Sequence, residues 1–143
     1  MIADLLLALH LLGAVVWVGG MLFALAVLRP SLAVLAPAQR LDLHRQVFRR
    51  FFLIVWHVMP VMLATGFAMI FVVYGGFSGL RWNVNVMMLL GLVMSGIFVG
   101  MYFGPWAALR RGADPAPVDR IRRLVQLNLA LGLIVVVVAA LKY

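Results

Sequence analysis

Two of the three histidines in this 143-residue chain, His10 and His57, sit inside long uncharged runs. Lipid offers an imidazole no partner, so an ionisable side chain at such depth marks a candidate site. His10 opens a stripe in which Gly13, Ala14, Trp17 and Met21 follow at offsets of 3, 4, 7 and 11 residues, all on one helical face. The small residues beside the ring leave room for an ion or a cofactor against Gly13 and Ala14. A neighbouring helix packed there, with His10 bonded to it, satisfies the same pattern. Trp17 is read as packing.

The chain contains no Cys, which removes disulfides and thiolate ligands, so soft-metal chemistry has to use imidazole and thioether groups. Depth sorts the candidates. His10 lies six residues past Asp4, ~9 Å along a helix, and His57 lies seven past Arg50, ~10 Å in from the opposite side. Across a core of ~30 Å the two rings are then offset by ~10 Å, which weighs against one haem b gripped by both. Met69, Met87 and Met88 fall near the level of His10, while Met21, Met101 and Asn128 fall near that of His57. These layers fit two Cu(I) stations, one built from His10, Met69, Met87 and Met88 and one from His57, Met21 and Met101. The same methionines also serve as ordinary core filler, and Met87, Met94 and Met101 at seven-residue spacing read either way. The sequence has no Glu, no carboxylate pair, no nucleophile motif and no phosphate loop, so nothing in it supports hydrolytic chemistry.

The elements that must hold these groups follow from composition. A chain that is 66% hydrophobic and 11% charged, with a mean hydropathy of +1.14, is an integral membrane protein. Its uncharged runs predict an all-α, antiparallel bundle of four transmembrane helices at about 4–28, 51–74, 82–109 and 118–141, forming one domain over 1–143. Arg29-Pro30 is expected to end the first helix. Between residues 38 and 48, apolar Leu41, Val47 and Phe48 alternate with polar groups, which predicts a short amphipathic helix at the membrane surface carrying a solvated His44. Pro60 deprives the Trp56 carbonyl of its usual partner and predicts a kink near His57. Gly96, Gly100 and Gly104 share a face on the third helix, which is read as a packing device and as a possible homodimer surface. Ala24-Leu25-Ala26 resembles a signal-peptide cleavage site, but Asp4 and the length of the apolar run argue for a retained helix.

The net charge of +8 marks topology rather than a nucleic-acid partner, because the arginines sit in the connections. Residues 29–50 and 110–123 hold nearly all of them, so both connections are placed in the cytoplasm and both termini outside, where only Arg81 and Lys142 are basic. The partner this implies is the lipid bilayer.

Several short motifs together resemble the CopD-like, copper resistance D family of bacterial inner-membrane proteins. They are Leu9-His10, Trp17-Val18-Gly19-Gly20, Arg29-Pro30, Arg49-Arg50-Phe51-Phe52, Ala64-Thr65-Gly66, and Arg120-Ile121-Arg122-Arg123-Leu124 with Asn128 and Gly132. The resemblance implies a multi-pass protein of the inner membrane with a role in copper uptake or tolerance. A weaker similarity, to HemJ-type protoporphyrinogen oxidases, implies a b-type haem and an oxidoreductase or electron carrier. This chain departs from that pattern after Gly20, where it reads Met21-Leu22-Phe23, and in having Asn83 and Asn85 but no Lys on the third helix. Copper handling is the leading expectation, a haem protein the second, and a cofactor-free structural subunit the third.

Overall fold

A backbone surrounded by apolar side chains and lipid satisfies its N–H and C=O groups most directly within a helix. The computed structural model, which describes residues 1–141, is built that way. Four helices are long and apolar enough to cross a membrane: α1, Ile2–Val34; α2, Pro37–Tyr74; α3, Trp82–Arg111; and α4, Ala116–Ala140. No strand occurs among the described residues. Lys142, one of the basic residues expected at the sparsely charged end, lies outside the described residues. Helix α1 packs along α2, α4 packs along α3 and also touches α1, and α2 meets α3 only sparingly.

Proline does not stop α1 where the sequence places its end. Helix α1 runs through Arg29-Pro30 to Val34, and α3 runs through Pro105 to Arg111. Each contains a wide, π-helical turn, over Ala24–Leu28 and Tyr102–Trp106, and an extra residue per turn relieves the clash between a proline ring and the preceding turn. Helix α2 stays α-helical through Pro60.

The segment 38–48 is helical, but it forms the first turns of α2 instead of a separate surface helix, so α2 starts well before Phe51. No Gly or Pro lies between Pro37 and Pro60 to interrupt it. Its start is set by Pro37 in the first turn and by Gln39 Oε1, which accepts from the Ala36 N–H at 3.2 Å. Its end is set by Gly75 at φ +71°, after which the N–H groups of Gly75 and Gly76 return to the carbonyls of Phe71 and Ile70 at 3.1 Å.

The early turns of α2 also finish its neighbours. Arg40 donates through Nε to the Leu35 carbonyl at 2.7 Å and through Nη2 to that of Ala33 at 3.1 Å, closing α1. Arg45 donates through Nε to the Leu109 carbonyl at 3.3 Å and through Nη2 to that of Gly112, closing α3. Such carbonyls have no partner within their own helix, and a guanidinium fork satisfies two at once. At the opposite end Asn83 Nδ2 donates to the Leu141 carbonyl at 3.2 Å and closes α4.

The glycine row on α3 packs against no other helix of the same chain among the described residues. Gly96, Gly100 and Gly104 are exposed, and no atom lies within 4 Å of where a Cβ would stand. Close approach occurs instead at Gly13, Gly66 and Gly132, where an added Cβ would meet Met62, His10 and Val18 at 2.5, 3.2 and 2.9 Å. The core between the helices holds Trp17, Met21, Phe52, Met59, Met94, Phe98 and Met101.

Candidate functional site

His10 points from α1 onto α2. Its Nδ1 lies 3.0 Å from the Met62 carbonyl and 3.0 Å from Thr65 Oγ1. The carbonyl can only accept, so Nδ1 carries the proton and donates it. Thr65 spends its own hydroxyl proton on the α2 backbone, at 2.8 Å from the Val61 carbonyl, which leaves its oxygen free to accept from the ring as well. In the neutral ring that donation selects one tautomer and leaves the lone pair on Nε2. A histidine that ligates a metal commonly donates its other ring N–H to a backbone carbonyl in this way.

The space that the small residues of α1 promised a cofactor is taken by a helix. Met62 fills the notch at Gly13, with its Sδ 3.1 Å from where a Cβ would stand, and Gly66 lets α2 come up against the His10 ring. Met62 and Thr65 were not among the candidates read from the sequence. A signal for them existed, because Met62, Thr65, Gly66 and Met69 stand at offsets of 0, 3, 4 and 7 and form the stripe on α2 that answers the one on α1.

His57 lies elsewhere. It is exposed, on a shallow groove shared with Leu9, Leu12, Gly13 and Val16, and its Nδ1 bonds the Leu53 carbonyl of its own helix at 2.8 Å. Gly13 faces Met62 and Val58, and Gly20 faces Phe51, so the antiparallel register puts His57 level with Val16. That is six residues, or about 9 Å, from the level of His10. The two imidazoles neither face each other nor share a level, so they do not form the axial pair a single haem would need.

The methionine layers are partly assembled. Met69 continues the α2 stripe one turn beyond Thr65, but Met87 and Met88 belong to α3, which packs with α4, and helix packing does not gather them around His10. In the other half of the bundle Met21, Met94 and Met101 are buried in the core, and Asn128 is fully buried. Asn128 Nδ2 donates to the Met94 carbonyl at 3.3 Å, while among the described residues its Oδ1 has no partner, nor does the buried Trp17 Nε1. Gly132, one turn from Asn128, lies against the Met94 methyl and against Val18, which sets Asn128 level with Met21. Among the described residues no three side chains of the His, Cys, Asp or Glu types come together, so any metal held here would have to take thioether or amide ligands.

Four membrane-length helices with an outer surface of exposed Leu, Val, Ile and Phe define a multi-pass integral membrane protein. The chain belongs to the CopD family, copper resistance protein D, whose model matches residues 45–142. No curated protein matches it, and no solved structure does. The matched span covers Met62, Thr65, Met94 and Asn128 and leaves out α1, which carries His10, Trp17 and Met21.

Proposed function

We propose that the protein handles copper as a cargo within the bacterial inner membrane, with His10 as the ligand of a first station. The observation that carries this reading is the donation from Nδ1. Met62 and Thr65 accept from Nδ1, which in the neutral ring leaves the Nε2 lone pair available to a soft metal ion. The thioether of Met62 lies at the same junction, against Gly13. Met21 and Met94, buried in the same half of the bundle as Asn128, would supply a second station eleven residues, or about 16 Å, further along α1. Imidazole and thioether together suit Cu(I), and membership of a copper resistance family favours that metal. By the positive-inside rule the arginine-rich end faces the cytoplasm and both termini face the periplasm, which a reporter fused at the C-terminus checks by its periplasmic activity.

The test is a Cu(I) titration of the purified protein in detergent against a competing chelator, with metal analysis and an absorption spectrum. Copper should be retained through gel filtration by the wild type and lost in His10→Ala. A Soret band that disappears in His10→Ala would overturn the proposal in favour of a haem b electron carrier. A protein that retains neither copper nor haem would overturn it in favour of a structural subunit.

A further inference from the structure

The sparse seam between α2 and α3 holds a cavity of about 470 Å³ at the arginine-rich end. Arg49, Arg50 and Arg110 line its rim, and Trp56, Tyr102 and Trp106 line its floor. We propose that this cavity is a binding site for an anionic phospholipid of the surrounding leaflet, with the phosphodiester among the guanidinium groups and the glycerol and first acyl carbons on the aromatic floor.

The argument begins with charge. Three cations are brought to one cavity, and among the described residues each aspartate is engaged elsewhere: Asp4 with the N-terminal amine at 2.8 Å, Asp42 near Arg45 at 4.0 Å, Asp119 with Arg122 at 3.1 Å, and Asp114 with the Ala116 N–H at 2.9 Å. Like charges over a low-dielectric floor repel unless an anion joins them. Arg110 is also held in place, since its guanidinium carbon lies 5.3 Å from the Tyr102 ring centroid and 5.6 Å from that of Trp106. Stacked on those rings, the planar fork keeps its N–H edges available for a phosphate.

The surroundings select an amphiphile over a free anion. Leu53 and Phe103, which flank the floor, are 60% and 66% exposed and belong to the surface that faces acyl chains. A phosphate in this cavity therefore has apolar surface directly beside it, as a lipid needs and inorganic phosphate does not. Basic pockets between transmembrane helices are a known way of recognising anionic headgroups.

Native mass spectrometry of the full-length protein, titrated in detergent with equal amounts of phosphatidylglycerol and phosphatidylcholine, tests the proposal. The wild type should keep phosphatidylglycerol preferentially, and inorganic phosphate at the same concentration should not displace it. Each guanidinium removed from the cavity should lower the preference roughly fivefold, so the double variant Arg49→Gln with Arg110→Gln should lose nearly all of it. The control is Arg120→Gln with Arg123→Gln, which removes the same charge from exposed positions at the same end but outside the cavity, and it should leave the preference intact. Equal binding of the two lipids by the wild type, a measurement that needs no variant to fold, would overturn the proposal. An equal loss in the two double variants would do so too, by showing a diffuse field instead of a site, and displacement by inorganic phosphate would show an anion site without lipid specificity.

Discussion

Helix α2 has two seams, and they are built on opposite principles. Against α1 it meets Gly13 and Gly20 and offers Gly66 in return, so the backbones come close and one polar junction, His10 with Met62 and Thr65, is shut between them. Against α3 it sets Phe52 and Trp56 onto Phe98, Tyr102 and Trp106, with ring centroids 5.2 to 5.7 Å apart. Large rings hold two helices together while keeping their backbones apart, and the space they leave is the cavity rimmed by arginine. Small residues make a seam able to enclose a bare ligand atom; wedged aromatics make one able to admit a bulky amphiphile.

The comparison breaks most sharply at Gly13. Gly13→Val forces Met62 out of its notch and should cost about 1–3 kcal/mol, read as a lower midpoint of thermal unfolding in detergent. Gly100→Val, placed on the open glycine face of α3, should stay within about 0.5 kcal/mol of the wild type. Equal destabilisation by the two would mean that the α1–α2 seam is not tight. Arg45→Ala, which uncaps α3 on the arginine-rich side, should cost about 1–2 kcal/mol in the same measurement, and Arg45→Lys should restore only part of it. The finest cut is His10→Asn. The Asn amide nitrogen can take the place of Nδ1 and keep a hydrogen bond to the Met62 carbonyl, but nothing replaces Nε2. The midpoint should move by less than about 1 kcal/mol while Cu(I) retention is lost. Retained copper in that variant would show that the ring is only a strut.

The four helices were legible in the sequence because an uncharged run of membrane length has few alternatives, and His10 stood out because it interrupts one. The helix bounds were less legible for a local reason: the alternation of polar and apolar residues at 38–48 shows a helix, but not whether that helix continues into the next run. Pro30 misled because a wide turn can absorb a proline that a regular one cannot. Glycine spacing announces that a partner could come close without saying which helix it is; within the chain the used positions are 13, 66 and 132, and the row 96, 100 and 104 stays open. Met62 stayed hidden because seeing it needs the register between two helices. The stripe on α2 was readable, but what it faces was not.

Arg40 and Arg45 belong to the group of charges that biases how such a chain is threaded into a bilayer. They are also the groups that complete the terminal turns of α1 and α3. Insertion needs only their charge, whereas completing those turns needs the shape of the fork. Two residues of α2 thus serve both demands at once, and a lysine in either place would meet only the first in full.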